Sequence, residues 1–370
     1  MPSPSAHRAA PRSHLPHYLA LLYGLAIVYA SLQPFAQWMA PTPGTPFFLA
    51  AAWSPRWTRF DLIVNVLAYA PLGFFVALMP RRHPALARLA AAVAAGAALS
   101  FALETAQMYL PSRDASVGDL LANVAGALGG GMIGLALARS KRAARLAVDF
   151  RHHWFLPGKV GDLGLALLVI WLAVQVNPGI PLFATTFEPD IQLDPALATL
   201  PPSPSDDLAA ILVVAATSAF HLLGVGLFLA LLLRQRRYVG GAVLVLIGAA
   251  VLVKGIAAAV LLKPAAWSHW LSPGVPDGVA VGALLLLVAI WLPRPVQVAL
   301  AAIALLASVL APLFTPDVLF ADAPLSGFNW SYGQLLNFNG LTHAVLLMWP
   351  VAASACLFAL AGRPDWGEPG

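Results

Sequence analysis

The chain has 370 residues, of which 60% are hydrophobic and only 10% are charged, and its formal net charge is +5. An ordinary soluble domain has about 25% charged residues, so this composition excludes that class and is typical of a polytopic membrane protein. The lysines and arginines lie in short clusters between apolar segments, as orientation signals do, and therefore do not predict a nucleic-acid partner. The single cysteine, Cys356, lies in an apolar run, which excludes a disulfide within one chain.

The N-terminal region combines a polar tail with the first apolar run. Residues 1–16 contain Arg8 and Arg12 among several prolines and serines, a composition that predicts a disordered cytoplasmic tail. The run from Tyr18 to Ala30 is followed by no clear small-residue cleavage site. We therefore expect a retained first helix here, not a signal peptide.

Ten apolar segments approach the roughly 20 residues that a helix needs to cross a membrane. They are residues 17–37, 60–79, 85–110, 117–138, 161–182, 208–233, 239–262, 275–292, 295–314 and 341–361. With the N-terminus in the cytoplasm, most lysines and arginines fall in cytoplasmic segments, which is the distribution that the positive-inside rule requires. The sequence thus predicts an all-α polytopic integral membrane protein with about ten transmembrane helices and both termini in the cytoplasm.

The arrangement of polar segments predicts the domain organisation. A basic cytoplasmic linker at 141–160 separates a four-helix membrane unit at 17–140 from a six-helix membrane region at 161–362, and a tail follows at 363–370. The outside loops at 185–207 and 315–340 are too polar to span and too rich in proline for a regular helix.

Lys254 and His221 are two of the ionisable residues inside the predicted spans of the C-terminal region. Lys254 is expected to form an ion pair within the bundle or to snorkel to the interface. His221 has no neighbouring residue at a metal-binding spacing, so we expect a core histidine with satisfied hydrogen bonds.

Three helices of the four-helix unit carry polar pairs near one end. The pairs are Asp61 with Asn65, Glu104 with Gln107, and Asp119 with Asn123. Residues three or four apart share one helix face, so each pair forms a polar stripe. A short hairpin with Arg113 and Asp114 makes the third and fourth helices antiparallel neighbours. If the third helix ends near Leu110, Glu104 lies about 9 Å inside it.

Charged groups near the centre of a membrane helix cost roughly 2.5–3.5 kcal/mol each and usually face a bundle interior or a wet cavity. The three stripes therefore predict an outward-facing acidic pocket. Its candidate catalytic residues are Asp61, Glu104 and Asp119, and its candidate ligand-binding residues are Asn65, Gln107, Arg113, Asp114 and Asn123. Buried carboxylates act as general acids or bases, and three of them with amides suit Mg²⁺ or Ca²⁺. A divalent cation is thus the one cofactor considered, and the residue types do not decide between catalysis and binding.

The order and spacing of these residues resemble the VanZ-like family, bacterial membrane proteins named for a member associated with low-level teicoplanin resistance. The matching residues over about 20–140 are Asp61, Asn65, Pro71, Gly73, Glu104, Gln107, Arg113, Asp114, Asp119, Asn123 and Gly126. The resemblance implies a multi-pass protein of the bacterial cytoplasmic (inner) membrane and cell envelope. Its implied partners are membrane lipids and a lipid-linked or cell-wall precursor, with no nucleic acid.

Three functions follow as hypotheses. The first is a VanZ-like envelope protein whose pocket binds, or modifies, an anionic cell-wall or lipid-linked ligand in a glycopeptide-resistance-like role. The second is a transporter or flippase component whose carboxylates bind cations or protons. The third is a non-catalytic membrane scaffold in which the polar groups only hold the helices together.

Overall fold

The structure is a computed structural model that describes residues 13–33, 35, 37–51, 58–79, 83–183, 204–311, 328–329 and 332–362. Within these residues the chain forms eleven α-helices and no β-strand. The helices are α1 (Leu15–Leu32), α2 (Arg59–Leu78), α3 (Ala85–Gln107), α4 (Val117–Arg139), α5 (Lys141–Trp154), α6 (Lys159–Val174), α7 (Pro204–Leu232), α8 (Val239–Leu261), α9 (Val275–Ala289), α10 (Arg294–Leu310) and α11 (Tyr332–Ala361). The prediction of an all-α polytopic membrane protein is confirmed.

Eight helical segments of the described residues are long and apolar enough to cross a membrane, by length and composition. Two of the ten predicted spans are not among these eight segments, since their helices, α6 and α10, have 16 and 17 residues. The cytoplasmic position of the termini stays a prediction. Arg8 and Arg12, most of the predicted loops at 185–207 and 315–340, and the tail at 363–370 lie outside the described residues.

Several helix boundaries differ from the predicted ones for local reasons. α3 ends at Gln107, not near Leu110, because the Tyr109 and Leu110 amides donate to the carbonyls of Ala106 and Gln107 in tight turns. Glu104 therefore lies about 4.5 Å from the end of its helix, half the predicted depth. The basic segment predicted as a linker is largely helical, since α5 occupies most of it. α7 and α11 begin inside the segments predicted as outside loops.

The chain divides into two compact units, Met1–Ala166 and Leu167–Gly370. In the first unit, α2 packs most extensively on α4. Gly126, Gly130 and Gly134 lie four residues apart on α4, so they share the face that meets α2. A β-carbon at Gly130 would overlap the carbonyl oxygen of Ala70, and Gly73 of α2 is equally close to the backbone of α4. This mutual approach of two backbones, typical of small-residue packing in membranes, fixes the rotation of both helices.

The second unit is organised around α7, which packs against α9 and α10. His221 of α7 is fully buried, and its Nε2 accepts a hydrogen bond of 2.8 Å from Trp171 Nε1. The predicted core histidine is therefore confirmed. Lys254 of α8 is also buried, and its ammonium donates to the carbonyls of Asn177 and Ile180, 2.8 and 2.9 Å away. The expectation that Lys254 snorkels is wrong, because peptide carbonyls inside the unit bind its charge.

Candidate functional site

Asp61 helps to start α2. The Thr58 side chain accepts a hydrogen bond from the Asp61 amide, and the Asp61 carboxylate accepts from the Thr58 amide (2.8 Å) and hydroxyl (2.7 Å). This capping box satisfies amides that a helix N-terminus would otherwise leave without partners. The structure thus gives Asp61 a local structural role, and its catalytic role stays a prediction.

Asn65 and Asp119 join α2 to α4. Asn65 Nδ2 donates to Asp119 Oδ1 across 2.6 Å, and both residues are partly buried. Asp119 also lies in the first turn of α4, where the positive end of the helix dipole stabilises a carboxylate. This contact brings two predicted site residues together.

Glu104 joins α3 to the start of α4. Its side chain is buried, with the residue only 4% exposed, and Oε2 accepts a hydrogen bond of 2.8 Å from the Ser116 amide. Ser116 is the N-cap residue of α4, so the carboxylate contacts the positive end of that helix. Asp119 follows Ser116 by three residues, in the first turn of the same helix. A buried carboxylate near a second one is a costly arrangement for packing alone.

Asn123 continues the site toward the middle of the helices. It is buried, and its Nδ2 donates to Ser100 Oγ across 3.0 Å. The buried Tyr69 of α2 lies beside Ser100, so these side chains bring α2, α3 and α4 together. The Asn123 Oδ1 atom is buried and has no hydrogen-bond partner. An unsatisfied buried carbonyl oxygen costs about 1–3 kcal/mol, and it offers an acceptor to a bound group.

Gln107 and Arg113 both contact α1. Gln107 Nε2 donates to the Ser31 carbonyl across 2.9 Å, and Arg113 donates to the carbonyls of Ala30 (3.3 Å) and Gln33 (2.8 Å). These carbonyls lie at the C-terminal end of α1, where a cation is favoured. Burial lowers the pKa of the Arg113 guanidinium. Asp114 is exposed in the same loop.

Six residues therefore form what we call the polar cluster. They are Asn65, Tyr69, Ser100, Glu104, Asp119 and Asn123. Four of them were predicted, whereas Tyr69 and Ser100 were missed. The signal for both was present, since Tyr69 follows Asn65 by four residues and Ser100 precedes Glu104 by four. Each extends a predicted stripe by one helical turn.

The side chains that the sequence offers for a metal do not converge. In the part of the chain that the structure describes, no three His, Cys, Asp or Glu residues are grouped so that they could hold a metal ion. No cofactor was predicted, and the divalent cation that the residue types would suit is not tested. The exposed fraction falls from Asp114, through Asp119 and Asn65, to Glu104 and Asn123. Burial therefore increases from the loop that holds Asp114 toward Asn123.

Comparison with known proteins identifies the segment that holds the cluster. No curated protein and no solved structure matches the chain. The described helices α1 to α4 and every residue of the polar cluster lie within one matched segment. Residues 13–139, about a third of the chain, match the model of the VanZ/LLP1 family.

Proposed function

We propose that this VanZ-like membrane protein acts in the bacterial cell envelope, in the cytoplasmic membrane, and that its polar cluster forms an outward-facing site for a cell-wall or lipid-linked ligand. The role would be one that supports glycopeptide tolerance. The observation that carries the proposal is the buried Glu104 carboxylate, which binds the amide of Ser116 at the N-terminus of α4, three residues before Asp119. Two carboxyl groups at the start of one helix, in a mostly uncharged chain, are more readily explained by ligand binding than by packing.

The chemistry of the cluster favours a ligand that donates hydrogen bonds. Glu104, Asp119 and the unpartnered Asn123 Oδ1 are acceptors, whereas the Arg113 guanidinium donates to carbonyls of α1. Hydroxyl groups of a glycan, or amide and ammonium groups of a peptide stem, match this set. The six residues of the polar cluster include no cation that could bind an anionic group of the ligand. We therefore favour recognition of the same class of precursor through its hydrogen-bond donors.

The experiment compares conservative variants at unchanged membrane abundance. Glu104→Gln keeps an acceptor for the Ser116 amide and removes the carboxylate. Asp119→Asn likewise keeps an acceptor for Asn65 Nδ2 and removes the carboxylate. Asp277→Asn, at an exposed carboxylate in the first turn of α9, is the matched control. We expect both cluster variants, and not the control, to lose teicoplanin tolerance and to retain less cell-wall precursor on purification, as measured by native mass spectrometry. Full tolerance and full precursor retention in both cluster variants would reject the proposal.

A scaffold function is the competing candidate, and a specific observation favours it. Asn65 with Asp119, Glu104 with Ser116, and Asn123 with Ser100 are contacts between helices. Contacts of this kind in membrane bundles contribute about 0.6 kcal/mol on average. If Glu104→Gln and Asp119→Asn reduce membrane abundance as strongly as Glu104→Ala, while tolerance per folded molecule is unchanged, the cluster acts as a scaffold.

A further inference from the structure

The helix α5 follows the membrane span α4 without a linker. The Ser140 amide donates to the Ala136 and Leu137 carbonyls at the end of α4, and the Ser140 hydroxyl accepts from the Ala143 amide at the start of α5. One residue therefore caps both helices. Because α4 is a candidate membrane span, α5 begins at the level where the hydrocarbon ends.

The two long faces of α5 differ in chemistry. At 100° per residue, Leu146, Phe150 and Trp154 lie on one side of the helix. Leu146 is 62% exposed and Phe150 is 57% exposed. The neighbouring side of the helix carries three exposed cations and one exposed acid. These are Lys141, Arg142, Arg145 and Asp149, and Arg142 lies at the border of this side with Leu146.

A third side of α5 is attached to the first unit. Arg151 is buried and donates to Asp162 Oδ1 from Nε (2.9 Å) and from a terminal nitrogen (2.7 Å). The Asp162 carboxylate also accepts from the Ser13 hydroxyl and the His14 amide. This anchor fixes the rotation of α5, so the exposure of Leu146 and Phe150 is a property of the folded unit.

We propose that α5 lies in the membrane–water interface, with Leu146 and Phe150 in the acyl boundary and with Lys141, Arg142 and Arg145 bound to anionic phospholipid headgroups. A short helix with one apolar and one cationic face, next to a membrane span, has the properties of an interfacial helix. Phe150 packs on Trp154 and Phe155, 6.0 and 5.6 Å between ring centroids, and aromatic residues are enriched at this level. The excess of cations over acids is complementary to an anionic leaflet.

The position of α5 can be measured by site-directed spin labelling of the full chain. Cys356 is the single cysteine, so a Cys356→Ala background accepts one label at Phe150→Cys or, as the matched control on the neighbouring polar side, at Asp149→Cys. The protein is reconstituted in nanodiscs of three parts phosphatidylcholine and one part phosphatidylglycerol. We expect the label at 150 to be accessible to oxygen and shielded from a nickel chelate, and the label at 149 to show the reverse. Two labels that are equally accessible to the chelate would overturn the proposal.

The choice of lipid is tested by neutralising the cations. The triple variant Lys141→Gln, Arg142→Gln, Arg145→Gln is compared with Lys141→Arg, Arg142→Lys, Arg145→Lys, which keeps the charge. The readout is the preference of the reconstituted protein for spin-labelled phosphatidylglycerol over phosphatidylcholine. We expect the neutral variant to lose about fivefold or more of this preference and the charge-conserving variant to keep it. An unchanged preference in the neutral variant would overturn the assignment of anionic headgroups.

Discussion

Asn65 and Asp119 are 54 residues apart in the chain, and Asn65 Nδ2 donates to Asp119 Oδ1 across 2.6 Å. The contact lies where α2 and α4 begin to approach each other closely. Its acceptor is a carboxylate in the first turn of α4, so the helix dipole and the amide both stabilise the charged form. This pair therefore connects two helices. It is also the most accessible part of the polar cluster, since both residues are only partly buried.

A double-mutant cycle on Asn65→Ala and Asp119→Ala is expected to give a coupling free energy of about 0.6–1.7 kcal/mol, the range for hydrogen bonds between membrane helices. The measurement is the free energy of unfolding in mixed micelles. Asn65→Ala with Asp277→Ala is the control cycle, because Asp277 is in the second unit and its substitution should add independently. A coupling of zero for the first pair would contradict the contact.

The close approach of α2 and α4 predicts opposite outcomes at two adjacent glycines. Gly130→Ala is expected to lower the free energy of unfolding, because its β-carbon would overlap the backbone of Ala70. Gly129→Ala meets nothing within 4 Å and replaces glycine by a better helix former, so stability should be unchanged or higher by up to about 1 kcal/mol. Thermal unfolding of the two purified variants measures the difference. Equal effects at 129 and 130 would contradict the packing.

Much of the first unit was predictable because apolar length and the three- to four-residue spacing of polar groups are local properties. Asp119 and Asn123 were placed on one face of α4 correctly for that reason. The pairing of Asn65 with Asp119 was not predictable, because it depends on how glycines at 126, 130 and 134 rotate α4 against α2. Spacing within one helix contains no information on the rotation of its neighbour.

Arg113 and α5 show two further limits. The ligand-binding role of Arg113 stays a prediction, and the sequence did not predict that Arg113 donates to carbonyls at the end of α1. No side chain marks those acceptors, so residue types cannot identify them. In contrast, Leu146, Phe150 and Trp154 recur every four residues, a spacing that predicts a helix. The basic composition of the same segment had favoured a linker.

The ion pair of Arg151 and Asp162 predicts a large loss of stability on single substitution. The side chains are 11% and 3% exposed and 2.7 Å apart. Arg151→Met leaves the Asp162 carboxylate buried without its guanidinium, so we expect a loss of about 3–5 kcal/mol in the free energy of unfolding. Removing both charges with Arg151→Met and Asp162→Leu should cost less than the sum of the single changes. Arg142→Met, at an exposed cation, is the control and should change stability by less than about 0.5 kcal/mol.

Substitution of Lys254 is also expected to lower the stability of the second unit, although the identified partners of Lys254 are backbone carbonyls. Lys254→Met keeps most of the side-chain volume and removes the ammonium that binds the carbonyls of Asn177 and Ile180. Each carbonyl that loses its donor in a buried site costs about 1–3 kcal/mol, so the melting temperature should fall by several degrees. Lys263→Met, at an exposed position, removes the same charge and is expected to leave the melting temperature unchanged. If both variants melt together with the unsubstituted protein, the ammonium does not hold the segment that follows α6.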